Sequence, residues 1–340
     1  MALRLSSALF TLLLILAAVY LKNVVLHLTT NPLWQQHPGK AMHPKFLASV
    51  LVASAAGSAS ASASVNAVEV GNESVLNANL TRDVVPIPVH SHNDYWRTTP
   101  LLSALSYGLT SVEADVWLIN GTLFVGHDRG ALDVEKTFAN LYIDPLVQLL
   151  ENINQNAGEF EATGWNGVFS MDNTRSLQLL VDLKTDGPET WPYVLQALEP
   201  LRERGWLTNY NGSAVTNGAV TVVGTGNTPL QQVIAQNSTR DAFFDAPLAS
   251  LNATFTPAVS PLASTNWAKA VGWNGIRDIS QKQRHAIRDQ VATAHAAGLK
   301  VRYWGYPNWP VWARDNIWKV LVEEGVDWLN VDDLSGIAEF

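Results

Sequence analysis

The feature that most constrains this chain is a rhythm of short apolar runs separated by helical stretches, sustained from residue 84 to the C-terminus. The runs are Val84–Val89, Ser111–Trp117, Leu177–Asp182, Ala219–Val223, Ala242–Ala246, Thr256–Val259, Leu299–Trp304 and Trp328–Val331. Strands that alternate with helices build a parallel sheet, because a parallel neighbour is reached only through a crossover. Eight such units over about 255 residues are the number for an α/β fold of the (β/α)8 TIM-barrel type. A doubly wound open sheet is the structural alternative. The helix before the seventh run has the plainest signature: Ser280 and Gln283 form a capping box, and Gly298 ends it. The last long helix, Val311 to Glu324, stops at Gly325.

Composition narrows the function classes. Hydrophobic residues make up 47% and charged residues 15%, which excludes a disordered chain. The net charge of −8 is the wrong sign for a dedicated nucleic-acid binder. No cysteine is present, so disulfides, thiolate-held zinc and thiol nucleophiles are excluded.

The N-terminus reads as targeting sequence. Seventeen uncharged residues lie between Arg4 and Lys22, a span suited to a signal anchor or a long secretory leader. A second leader-like pattern starts at Met42, with apolar Phe46 to Ala56 and then alternating Ala and Ser to Ser64. Two stacked leaders suggest a native start at Met42; an anchor followed by an Ala/Ser spacer is the alternative. Six N-x-S/T sequons, at Asn72, Asn79, Asn120, Asn211, Asn237 and Asn252, agree with export as a glycoprotein. The expected organisation is a leader over 1–62, a linker over 63–83 and a catalytic barrel over 84–340.

In a parallel barrel the chemistry gathers at the C-terminal ends of the strands. Glu113 and Asp115 stand two apart on the second run, so both point to one face. If Val112, Ala114 and Val116 pack outward, both carboxylates enter the barrel, and Asp182 joins them from the third run. Like charges in so dry a place require a proton or a cation between them. Three carboxylates without cysteine describe a hard, oxygen-rich site for Mg2+ or Ca2+. The structural alternative is pairing of Glu113 and Asp115 with Lys184 or Arg302.

Histidines flank these acids: His90 and His92 close the first run, and His127 follows a short hairpin in Gly126-His127-Asp128. An imidazole takes a proton from a hydroxyl near neutral pH, and an imidazolium returns one to a leaving oxygen. The His90-x-His92 pair also has the spacing of a zinc chelate. His285 and His295 read as surface or helix-packing residues. The loop Gly224-Thr225-Gly226-Asn227-Thr228 lacks the third glycine of a dinucleotide fingerprint. It is read as a turn, and an anion at the amides that follow Pro229 is the other reading. Tyr303, Trp304, Tyr306, Trp309 and Trp312, joined by Trp96 and Trp117, are read either as an apolar wall beside the polar mouth or as loop packing on the rim.

The order of these motifs resembles the glycerophosphodiester phosphodiesterase and phosphatidylinositol phospholipase C superfamily of barrels. The stretch Asp182-Leu183-Lys184-Thr185 also looks like the spider sphingomyelinase D version. Five segments, His90–Tyr95, Ser111–Val116, Gly126–Asp128, Val223–Asn227 and Val326–Leu334, look like the fungal "altered inheritance of mitochondria protein six" family. The resemblance covers the chain from about residue 84 onward. It implies that Glu113, Asp115 and Asp182 hold a divalent ion, that His127 is one acid–base residue, and that Lys184 binds phosphate. The other acid–base residue is His90 or His92. The superfamily motif has one histidine followed by Arg-Gly, whereas this chain has two histidines and no Arg-Gly. His90 is preferred because it closes the apolar run directly, with His92 in support.

The expectation is therefore an exported, metal-dependent phosphodiesterase acting on a glycerophosphodiester or a phospholipid head group. Lys184, Asn93 and Trp304 are the expected substrate contacts. Expected partners are a small-molecule or lipid phosphodiester and a membrane surface or N-terminal anchor, and no nucleic acid. A binding barrel without turnover and a secreted glycosidase using paired carboxylates are the rival readings. The family name raises a mitochondrial location, whereas the leader points to secretion or to membrane anchoring.

Overall fold

Residues whose side chains alternate between two apolar environments form the staves of a barrel. The computed structural model describes residues 80–155, 164–236 and 239–340. The leader, the start at Met42, most of the 63–83 linker and the sequons at Asn72, Asn79 and Asn237 lie outside the described residues. The strands are β1 (Ile87–Ser91), β2 (Leu109–Ile119), β3 (Thr122–Val125), β4 (Leu177–Leu183), β5 (Asn209–Tyr210), β6 (Val215–Thr216), β7 (Val220–Gly226), β8 (Ala242–Pro247), β9 (Leu262–Asn266), β10 (Lys300–Trp304) and β11 (Leu329–Val331). Eight of them run parallel in the order β10-β9-β8-β7-β4-β2-β1-β11. A parallel bridge between Arg302 and Trp328 brings the two ends of that path together. The fold is the TIM barrel. β3 turns back antiparallel on β2, and β5 with β6 makes a separate small hairpin.

Helices Asp144–Asn154, Gly187–Ala197, Gln281–Ala296 and Val311–Glu323 are the longest of the outer layer. Ser280 and Gln283 do form the reciprocal capping box, and Gly298 and Gly325 sit at positive φ (78° and 77°) just beyond the helices they follow. Among the described residues, no helix is long and apolar enough to cross a membrane.

The core has two parts. A large outer cluster, including Val112, Ala114, Val116, Leu179 and Val181, fills the space between strands and helices. A smaller inner cluster of Leu180, Val223, Phe243, Leu262 and Trp328 plugs the barrel. Each plug residue is followed two positions later, on the same face of its strand, by a polar one: Asp182, Thr225, Asp245, Ser264 and Asn330. The strand period of two thus stacks a polar layer on an apolar floor, at the C-terminal end.

Two strands differ from expectation. The first begins at Ile87 rather than Val84. Pro86 and Pro88 have no N–H to give a ladder, and a bond from Ile87 N to Gly108 O (2.8 Å) attaches this strand to the residue before β2. The expected sixth strand, Thr256–Val259, is a turn in which Val259 N and Ser260 N both bond to Thr256 O at 2.8 and 2.7 Å. The sixth stave is β9, which reads as polar because Ser264, Thr265 and Asn266 make up its mouth end.

The plug makes a stability prediction. Phe243 is fully buried inside the barrel, so Phe243→Ala should cost about 3–5 kcal/mol in urea unfolding. Val322→Ala, on the exposed face of its helix, should change stability by no more than about 0.5 kcal/mol.

Candidate functional site

Strand register brings the acids together. In the β2–β4 pair Asp115 lies beside Asp182, and in the β4–β7 pair Asp182 lies beside Thr225. Glu113 stands one pleat below Asp115. One carboxylate oxygen from each of Glu113, Asp115 and Asp182 falls within 4.8 Å of the others. Glu113 and Asp115 are buried, whereas Asp182 is partly open to the mouth.

Cations hold this cluster from two sides. Lys184 Nζ lies 3.0 Å from Asp115 Oδ2 and 2.8 Å from Asp182 Oδ2. Burial works against the lysine's charge, but Asp182 and Asp115 outweigh it and raise its pKa. Arg302, buried on β10, places Nη2 3.4 Å from Glu113 Oε1 and donates from Nε to Asn330 Oδ1 at 2.9 Å. Both pairings weighed from sequence are therefore present, and they occur together with the acid cluster. Three carboxylates face two cations, so one negative charge is left over. Asp115 Oδ1 is buried without a hydrogen-bond partner. Burial, and next Glu113, push the Asp115 carboxyl up to about 6. The donor set is all oxygen and one of its oxygens is unused, which fits a hard divalent cation such as Mg2+ or Ca2+.

The backbone is shaped round the acids. Asn93 adopts φ 49° and turns its N–H to Glu113 Oε2 at 2.9 Å. Gly226 lies so close that a Cβ there would come within 2.0 Å of Asp182 Oδ1, so only glycine leaves that carboxylate its place. The Tyr95 hydroxyl lies 2.6 Å from both Asn93 Oδ1 and Asp115 Oδ2, and 3.1 Å from His127 Nδ1.

The three histidines occupy different surroundings. His90 is fully buried, with Nδ1 2.7 Å from Ser111 Oγ and Nε2 unpartnered. Burial, and then Arg302, hold its pKa well below the usual imidazole value. His92 is partly exposed. Its Nδ1 meets Asp332 Oδ1 at 2.8 Å and its Nε2 lies 3.8 Å from Glu113 Oε2. Burial would raise Asp332, but the hydrogen bond and charge of His92, with the Asn308 amide and Arg97, together outweigh it and hold that carboxyl below its ordinary value. His127 lies on the other side, with Nδ1 3.5 Å from Asp115 Oδ2 and its ring against Trp96 at 5.2 Å. It gets there through the β2–β3 hairpin, whose Asn120-Gly121 turn has φ 50° and 82°. The chain then returns so that Gly126 N bonds to Asp115 O at 3.1 Å.

These groups line a cavity of about 430 Å³ that takes in His92, Asn93, Glu113, Asp115, His127, Asp182, Lys184, Thr225, Gly226, Asn227, Arg302 and Trp304. His90 lies beneath it and is not part of the lining. Recesses of about 700 and 530 Å³ open at the opposite end of the strands, and no histidine lines either one. Of the aromatic residues expected at the mouth, Tyr303 and Tyr306 are buried instead. The Tyr303 hydroxyl donates to Gln290 Oε1 and that of Tyr306 to Asn330 O. Trp117 donates Nε1–H to Gly126 O at 2.7 Å. His295 pairs with Asp327, and His285 is exposed with Asp289 at 4.0 Å. The segment after Pro229 forms a helix of only six residues, Leu230–Ala235.

Sequence reasoning passed over Asp245, had Asp332 only within the family-like segment Val326–Leu334 and without a role, and weighed Arg302 only as an ion-pair partner. Asp245 is half-buried, with its Oδ1 buried and unpartnered, and accepts from Thr225 Oγ1 at 3.1 Å. Burial drives its carboxyl up to about 6, against the pull of Arg302. The signal for it was available, since Asp245 follows Phe243 by two on one strand.

Comparison with known proteins gives a consistent family. The model of the AIM6-like phosphodiesterase domain matches residues 78–245. That span contains the three acids, the three histidines and Lys184, and stops short of Arg302 and Asp332. Altered inheritance of mitochondria protein 6 homolog from Arthroderma benhamiae is 42% identical over 267 residues, covering 76% of this chain and 84% of the relative. Altered inheritance of mitochondria protein 6 is 39% identical in Eremothecium gossypii (77% of this chain, 72% of the relative). In Saccharomyces cerevisiae it is 36% identical (76% and 71%). Among solved structures, a glycerophosphodiester phosphodiesterase from Parabacteroides distasonis aligns with 75% of this chain and 98% of its own. Its TM-score is 0.40 at 15% identity, too distant to carry any inference.

The enclosed carboxyls predict a pH dependence of stability. Asp94, enclosed chiefly by burial despite bonds from Ser91, Leu101 and Tyr142, is also raised to about 6 from 3.8. Asp94 and Asp245 keep their protons to a higher pH when folded than when unfolded. Their contribution is therefore fullest below about pH 4 and is lost as pH rises through about 6. Urea unfolding should show this pair pulling stability down across that window, against the opposite trend set by His90 and Asp332, whose folded pKa values are lowered. Asp245→Asn should remove about 2–3 kcal/mol of the fall, and an unchanged slope would show that Asp245 titrates as an ordinary carboxyl.

Proposed function

The chain belongs to the altered inheritance of mitochondria protein 6 family and carries an AIM6-like phosphodiesterase domain; from its site we propose that it hydrolyses a phosphodiester by imidazole acid–base catalysis beside a divalent cation. The observation that carries this reading is the placement of two accessible imidazoles at opposite ends of one carboxylate cluster. His92 Nε2 lies 3.8 Å from Glu113, and His127 Nδ1 lies 3.5 Å from Asp115. One group can take the proton of the attacking hydroxyl while the other gives one to the departing alkoxide. Each such transfer contributes about 10²–10⁴-fold.

His92 is proposed for one role rather than the buried His90. With its Nδ1–H donating to Asp332, His92 turns Nε2 toward the cluster, so Asp332 acts as a positioning residue. His90 has no route to the cavity, and it supports Glu113 from below. Glu113, Asp115 and Asp182 would hold the divalent ion, Mg2+ or Ca2+, which supplies positive charge for the non-bridging oxygens of the phosphate. Lys184 and Arg302 bring two further cations to the same place, where developing charge is stabilised without reorganisation. Asn93 and Trp304 complete the walls. The substrate class is a glycerophosphodiester or a phospholipid head group. Export by the secretory route is supported by the leader-like N-terminus and by the exposed sequons Asn120, Asn211 and Asn252.

Phosphorus NMR of purified protein with glycerophosphodiester and lysophospholipid candidates tests the reading directly. A new phosphomonoester or cyclic phosphate resonance that disappears with chelator is expected, and turnover that survives full chelation would overturn the metal role. His127→Asn and His92→Asn should each lower kcat by about 10²–10⁴-fold. Asp332→Asn should lower kcat by about 10-fold or more with little change in KM. A His90→Asn variant that loses as much as His92→Asn while folding normally would return the acid–base role to His90.

A further inference from the structure

All tryptophans except Trp34 fall among the described residues, and most of those are buried or half-buried. The exposed ones are Trp96 (61%), Trp304 (39%), Trp309 (81%) and Trp312 (54%), with Val311 (50%) between the last two. All of them lie at the mouth end of β1 and β10. Trp304 lines the site cavity, and the Trp96 ring rests on His127 at 5.2 Å. The indoles therefore gather on the arc of the rim formed by β1, β11 and β10 and are absent from the exposed surface elsewhere among the described residues.

Charge is arranged to match. No charged residue occurs between Arg302 and Arg314, although the chain as a whole carries −8. On the same arc, Arg97 follows Trp96 and is tied to the strand ends through His92 O, Val331 O and Asp332 O. An acidic protein is repelled by lipid phosphates except where it offers an uncharged face. The indole, with an apolar body and one N–H, favours the boundary between acyl chains and head groups. A protein or a second copy seated on this rim would cover the cavity through which substrate must enter. A bilayer laid on it would present phosphodiesters to the opening.

We propose that the barrel mouth docks on a phospholipid surface through Trp96, Trp304, Trp309, Val311 and Trp312, so that the site works on diesters presented from a bilayer. The claim about substrate presentation rests on the phosphodiesterase reading, whereas the docking surface itself does not.

The test is co-sedimentation of the full chain with sucrose-loaded phosphatidylcholine vesicles, compared with the Trp309→Ser/Trp312→Ser double variant. Neither residue lies in the acid, histidine or cation cluster. The double variant should keep its melting temperature and its turnover of a soluble short-chain diester, and should lose at least about tenfold in vesicle partitioning. Equal sedimentation of the two proteins would overturn the proposal, because binding would then come from elsewhere, such as the apolar N-terminus. Failure of the wild-type chain to sediment would overturn it too. A concentration-dependent dimer in light scattering that the double variant abolishes would reassign the patch to self-association. His127→Asn should sediment like wild type, so vesicle binding without any diesterase activity would sink the enzymatic reading and leave the docking surface standing.

Discussion

Three carboxylates set side by side in a water-poor barrel mouth repel one another, and most of the surrounding structure serves to keep them there. Parallel register leaves no freedom to separate Asp115 from Asp182, because their strands pair residue for residue at that level. The fold answers with opposite charge and with directed dipoles. Lys184 closes the upper side and Arg302 the lower, while the Asn93 amide and the Tyr95 hydroxyl fill further lone pairs. These groups leave the balance slightly negative. That residue of charge makes the place attractive to a cation and, once one is bound, to a phosphate anion.

The same strand geometry separates two histidines that look equivalent in sequence. His90 and His92 point the same way from β1, but a step of two residues carries His92 out of the barrel and leaves His90 beneath the acids. Water reaches one and not the other. An imidazole sealed in beside a guanidinium stays neutral and fixed. An imidazole at the rim, backed by Asp332, is partly open to the cavity. Position along a single strand, rather than residue type, assigns their different chemistries.

Much of the arrangement was legible because barrel strands obey a simple period. Glu113 and Asp115 on one face, Asp182 beside them, and His127 after a hairpin all follow from alternation and from apolar runs. Residues whose partners come from distant strands were harder to place. Asp332 belongs to the last stave and gains meaning only beside His92 on the first, and Arg302 reaches Glu113 across the interior. β9 was misplaced because its mouth end is polar, so it lacks the apolar run that marks the other staves. Tyr303 follows the alternation and faces away from Trp304 on the same strand, whereas Tyr306 lies in the loop beyond, where nothing local says that its ring turns toward the helices.

His127 hangs on the overhang of β2 and its short partner β3, outside the ring of eight staves. The spacing between its imidazole and that of His92 is therefore fixed by the register of one ribbon where it rejoins the barrel, with Val116 beside Val125 and Gly126 N on Asp115 O. A slip of that register would move His127 while leaving every stave, and the three clustered acids, where they are. Variation in the width between the two rings has a place to happen, in a part that the barrel does not need in order to close.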